Sequence, residues 1–267
     1  MTLRITVVAL LVLSLWQGSA SAADAPIAAA IAFHNVHVRV ADADKAAAWY
    51  VAHLDAQPGD VPFRVLFGEW FLIFFKDTAA GPKAGGTLDH IGVTVVDVGR
   101  KVKELQAAGA RISKAPGRKH ASLTSVMMED PWGVRIELIQ NAKPAVLHHV
   151  HLNVRDPQAA LTQMRATFGG QAEYSGTRLQ ALRYSDVRVY ADDLQKPQPT
   201  DVHRNHAVMW CLALGVADIS AAYTALVEAG ITVPVGPGST PIMGKPVKYV
   251  FVDVPGDIDV ELLERPQ

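Results

Sequence analysis

Residues 34–42 read HNVHVRVAD, and residues 148–156 read HHVHLNVRD. In each, apolar residues alternate with polar ones and an aspartate closes the run. Alternation of this kind predicts a half-buried strand, and the aspartate predicts the cap of a following helix. Two further pairs of stretches match in the same order. DHIGVTVVDV (89–98) aligns with WCLALGVADI (210–219), and DPWGVRIELI (130–139) aligns with VPGDIDVELL (254–263). A repeat this long, with its parts in a fixed order, points to internal duplication.

Working outward, each half divides into two units of one strand, one helix and further strands. In the first unit Asp42 or Asp44 can cap a helix carrying Ala47, Trp49, Tyr50 and Leu54. The runs VPFRVLF and WFLIFFK then follow as strands. The second unit has a strand at 90–96, a helix over 98–108 ended by Gly109, and a hairpin across Asp130-Pro131-Trp132-Gly133. The second half repeats the order, with a strand at 147–154, a helix near 157–167, a strand at 208–214 and a helix at 217–229. The expected fold class is α+β: four βαβββ units in two tandem domains, 32–140 and 146–265, joined by a linker at 141–145.

The 267 residues carry 25 basic and 26 acidic side chains, and 49% are hydrophobic. This balance is globular, with no basic patch for nucleic acid and no charged tail. The N-terminus is different: MTLR, the apolar run ITVVALLVLSLW and the small residues GSASAADA form a signal-peptide pattern over 1–23. The expectation is an exported protein, periplasmic or secreted, with no membrane association after cleavage. Cys211 is the only cysteine, so no internal disulfide can form.

Strand parity locates the chemistry, because neighbouring side chains point to opposite faces. Val150, Leu152 and Val154 share the helix-facing side of their strand, which turns His149, His151 and Asn153 the other way. By the same parity His90 lies opposite Ile91, Val93 and Val95, and Glu137 opposite Val134, Ile136 and Leu138. A curved sheet with its helices outside would send His149, His90 and Glu137 into its hollow. Two imidazoles and a carboxylate suit a divalent ion such as Zn, Fe(II), Mn or Ni.

The strand–helix order, the paired His-rich openings and the glutamate in each closing hairpin resemble the vicinal oxygen chelate superfamily. That superfamily includes glyoxalase I, the fosfomycin- and bleomycin-resistance proteins and the extradiol dioxygenases. The resemblance implies curved mixed sheets and ligands from three places: a first strand, the strand opening the next unit, and a closing glutamate. Laid on this chain, the first half offers Asn35, His90 and Glu137, and the second His149, Cys211 and Glu261. A site built within one half, as in the dioxygenases, is spoiled by one edit in each. A site built across the halves, as in glyoxalase I, gives an intact metal set of His149, His90 and Glu137. The remainder is a degenerate set of Asn35, Cys211 and Glu261.

Catalytic roles are expected for Glu137, for His151 as an orienting or proton-shuttling group two residues past a ligand position, and, as the resemblance to the extradiol dioxygenases implies, for Tyr249 near Glu261. His37 is the counterpart of His151. Asn35 is a poor ligand because an amide binds transition metals weakly, and Cys211 reads as a small core residue. His120, His203 and His206 fall in loops and Trp132 reads as packing. The expected function is a metal-dependent lyase, isomerase or dioxygenase acting on a small molecule with vicinal oxygens, as a monomer or homodimer. Export argues against glutathione adducts as substrates, since glutathione is mainly cytosolic. The alternative is a metal-free, bleomycin-resistance-like binder, with Trp70, Phe71 and Phe75 lining its pocket.

Overall fold

A computed structural model describes residue 27 and residues 31–77, 86–113, 124–193, 208–242, 244–254 and 256–265. The segment 1–23, His120, His203 and His206 lie outside the described residues. Within them the chain runs four times through the same order. The first unit is β1 (Ala32–Val40), α1 (Ala43–His53), β2 (Gln57–Pro58), β3 (Arg64–Phe67) and β4 (Trp70–Lys76). The second is β5 (Leu88–Val95), α2 (Val98–Ala107), β6 (Arg111–Ile112), β7 (Ser125–Glu129) and β8 (Arg135–Gln140). The third is β9 (Leu147–Val154), α3 (Pro157–Phe168), β10 (Gln171–Ser175), β11 (Arg178–Tyr184) and β12 (Val187–Asp193). The fourth is β13 (Met209–Val216), α4 (Ile219–Glu228), β14 (Val235–Ile242), β15 (Lys245–Val254) and β16 (Ile258–Glu264).

Each strand-to-helix corner is made the same way. Asp42, Asp97, Asp156 and Asp218 stand in extended backbone at the N-caps, and each carboxylate accepts a first-turn backbone N–H. The aspartate that ends each repeated stretch is therefore what turns a strand into a helix.

Two eight-stranded mixed sheets result, and each takes strands from both halves of the sequence. One runs β14-β15-β16-β13-β1-β4-β3-β2, joining the first unit to the fourth; the other runs β10-β11-β12-β9-β5-β8-β7-β6, joining the second to the third. The seams are antiparallel, β1 with β13 and β5 with β9. Val36, Val38, Ile91, Val93, Val150, Leu152, Leu212 and Leu214 are almost fully buried and belong to one hydrophobic core shared with the helices. No helix among the described residues is long and apolar enough to cross a membrane.

Candidate metal centre

The β5–β9 seam brings the expected set of His149, His90 and Glu137 together. Across it, His90 stands opposite His151 and Gly92 opposite His149; on the other side of β5, Gly92 also stands opposite Glu137 of β8. Gly92 is thus the shared rung between a histidine and a glutamate contributed from either side. His149 Nε2 lies 3.4 Å from Glu137 Oε2, and His90 Nε2 lies 3.6 Å from the same oxygen. All three side chains are at most 3% exposed. Metal–ligand bonds of about 2.1 Å in tetrahedral geometry place neighbouring donor atoms about 3.4 Å apart. The residues present therefore fit a divalent ion.

His151 belongs to the same cluster: the ligand atoms of His90, His149 and His151 all lie within 4.8 Å of one another. The surroundings orient these groups. His90 Nδ1 is 2.7 Å from Asp89 Oδ2, and Asp89 is itself held by Arg135. Ser125 donates to Glu137 Oε1 at 2.8 Å, leaving Oε2 toward the imidazoles. His148 Nδ1 lies 3.0 Å from His149 Nδ1, and the Tyr190 ring packs edge-on against His149 at 5.4 Å. Burial disfavours the imidazolium of His90, but the carboxylates of Asp89 and Glu137 outweigh it and raise its pKa. For His151 burial is the largest influence and the pKa is lowered, although Asp192 opposes this.

Asn35, Cys211 and Glu261 occupy the equivalent places at the β1–β13 seam. His37 is opposite Cys211, and Ala213 is opposite both Asn35 and Glu261. The chemistry there differs. The Cys211 Sγ–H donates to the Leu212 carbonyl at 3.3 Å. Burial, together with the nearby carboxylates of Glu261 and Asp259, pushes that thiol well above its ordinary pKa. A neutral thiol is a weak ligand, since the thiolate is the binding form. The Asn35 amide nitrogen is 2.8 Å from His34 Nδ1, and Glu261 pairs with His37 at 3.0 Å. Around His37 stand Phe75, with ring centroids 4.8 Å apart, and Trp210 at 4.9 Å.

Tyr249 lies on β15, in the sheet of this second hollow, and packs against Ala213, Ile242, Val247 and Leu263. It is thus on the other sheet from His90, His149 and Glu137. Of the three aromatics expected to line a pocket, Trp70 is buried against Phe33, Phe71 stacks on His34, and Phe75 is 39% exposed beside His37. Trp132 packs edge-on to Trp49.

Sequence reasoning passed over Gly92, Asp89, Arg135, Ser125 and Asp192. Two of them leave a signal in the sequence. A glycine inside a strand of β-branched residues marks a close approach, and Asp89 directly precedes a candidate ligand.

A family model described as the Glyoxalase/Bleomycin resistance protein/Dioxygenase superfamily matches residues 32–138 and 146–251. A stretch of 87 residues, 32% of the chain, is 32% identical to a probable chloroplastic lactoylglutathione lyase of Arabidopsis thaliana. That stretch spans only 25% of the relative's length. Among solved structures, glyoxalase I from Zea mays matches with a TM-score of 0.65 and 19% identity over 88% of this chain and 92% of that one. A putative dioxygenase from Bacillus subtilis matches with a TM-score of 0.61 and 14% identity over 88% and 86%. At such identities these likenesses are of fold.

Proposed function

The chain belongs to the Glyoxalase/Bleomycin resistance protein/Dioxygenase superfamily, and from that premise we propose that it is a divalent-metal-dependent lyase, isomerase or dioxygenase. Its substrate is a small molecule carrying vicinal oxygens, and its centre is the β5–β9 hollow. The observation that carries this reading is the single oxygen, Glu137 Oε2, standing 3.4 Å from His149 Nε2 and 3.6 Å from His90 Nε2. Two imidazole nitrogens near tetrahedral spacing from one carboxylate oxygen, on the three adjacent strands β9, β5 and β8, are what an ion with open positions requires.

His149, His90 and Glu137 would hold the ion, with Zn, Fe(II), Mn and Ni all admissible for such donors. The ion, when bound, would act as a Lewis acid toward substrate oxygens. The chain supplies the rest. Asp89, clamped by Arg135, accepts from His90 Nδ1–H and so turns the bare Nε2 toward the hollow. Ser125 ties down one oxygen of Glu137 so that the other faces the imidazoles. Burial of the set excludes bulk water, which strengthens every electrostatic contact within it.

The N-terminal signal pattern supports export to the periplasm or beyond. The test is the metal content of the purified protein, then that of His90→Ala. About one equivalent in the wild type, lost in the variant, is expected; metal-free wild type after incubation with each of the four ions would overturn the reading. Turnover of a catechol against a 2-oxoaldehyde–thiol adduct separates the dioxygenase from the lyase and isomerase classes.

A further inference from the structure

The β5–β9 hollow holds one nitrogen donor more than the His–His–Glu set uses. His151 projects from the same face of β9 as His149, two residues on, and its Nε2 lies 3.2 Å from Asp192 Oδ2. Its other ring nitrogen, Nδ1, is buried and has no hydrogen-bond partner among the described residues. A neutral imidazole carries one proton, and a carboxylate beside Nε2 holds that proton there. The lone pair is then on Nδ1. Asp89 does the same to His90, accepting from Nδ1–H and so leaving the lone pair on the buried Nε2. A carboxylate on the far nitrogen of an imidazole is the usual outer support of a metal-binding histidine. Here two imidazoles of one cluster have it.

The second hollow shows independently how far this side chain reaches. His37 is the register twin of His151: it faces Cys211 across the β1–β13 seam as His151 faces His90 across β5–β9. Glu261 is likewise the twin of Glu137, opposite Ala213 where Glu137 is opposite Gly92. From that register the His37 imidazole reaches the carboxylate itself, at 3.0 Å. An imidazole in this place therefore spans to the centre of the hollow. The anchoring carboxylate differs between the two. Asp192 faces Asn153 on β9, and the corresponding place facing Arg39 on β1 is taken by Phe75. With Phe75 at that register, His37 pairs with Glu261.

We propose that His151 is a fourth protein ligand at the β5–β9 centre, making a donor set of three imidazoles and one carboxylate. This rests on the metal-centre reading above and narrows it. Three nitrogens shift preference toward Zn, Ni, Cu or Fe and away from oxygen-seeking Mg and Mn. Four protein donors also mean that an ion engaging two substrate oxygens must be six-coordinate. Of the four admissible ions, Mn becomes the poorest match.

The experiment is pulsed electron paramagnetic resonance on the purified protein loaded with one equivalent of Cu(II), counting coordinated imidazoles through their remote nitrogens. The wild type is expected to show three, and His151→Gln two with copper still bound. Asp192→Asn keeps the imidazole but loosens its tautomer, and weakens copper binding roughly 10–100-fold in chelator competition. A count of two in the wild type, with the His151→Gln spectrum unchanged, overturns the fourth ligand and leaves the His–His–Glu centre standing. Wild-type protein that takes up no copper overturns both. The wild-type count decides the matter even if a variant fails to fold.

Discussion

Gly92→Ala adds a single methyl group at the rung shared by His149 and Glu137. A Cβ built on Gly92 lies 2.3 Å from both Cε1 and Nδ1 of His149 and 2.9 Å from its Nε2. Ordinary contact begins near 3.4 Å, so the imidazole must retreat by about 1 Å. It has little room to do so. The ring is fully buried, with His148 on one nitrogen and Tyr190 against its edge. Metal–ligand distances tolerate only about ±0.2 Å, so a shift of this size removes His149 from the donor set. Overpacking of a filled interior costs about 1–3 kcal/mol. For a chain of this size that lowers the melting temperature by about 2–4 °C per kcal/mol. Metal content and thermal unfolding of the same preparation are the assay. The expected result is a folded protein, a lower melting temperature and a metal content well below one equivalent. The control is Ala213→Gly, at the twin position of the second hollow, which should leave metal content unchanged. Gly92→Ala with full metal occupancy and wild-type stability would refute the reasoning, because His149 would then not lie where a methyl group excludes it.

Two shorter expectations follow from buried groups elsewhere. Burial raises the pKa of Asp130 from 3.8 to about 7, against the opposing hydrogen bonds from the Tyr50 hydroxyl and the backbone N–H groups of Val134, Trp132 and Gly133. The folded state therefore binds this proton more tightly than the unfolded state. The group's stabilising contribution is complete below about pH 4 and is lost as pH rises to about 7. Urea unfolding of Asp130→Asn should show a flatter pH dependence across that window; an unchanged slope would contradict the assignment. The Cys211 thiol, buried and held neutral, should resist iodoacetamide in the folded protein and react only on unfolding. Intact mass before and after urea reads this directly, and rapid labelling of native protein would count against it.

Much of the fold could be read locally. Alternation over two residues assigned Asn35, His37, His90, His149 and Glu137 to the faces turned from the helices, and one aspartate at each strand end capped each helix. The repeat supplied four equivalent units, and with them the list of ligand positions and the two edits, Asn35 and Cys211. The supports of the site were harder to see. Asp192, Arg135 and Ser125 stand on other strands from the side chains they hold, so no spacing along the chain announces them. Gly92 is informative only once the ring of His149 is known to lie over it.

The sequence alone therefore determined which side chains share a face, because a strand's two-residue period is a property of its own backbone. It left two partitions open, sites within each half or sites across them. Tertiary structure chose the second by pairing β5 with β9 and β1 with β13. Strand pairing joins segments distant along the chain, through backbone hydrogen bonds that any residue types can make. Periodicity carries no record of the partner. That choice is what puts His149 beside His90 and Glu137, and leaves His37 to close on Glu261 in the other hollow.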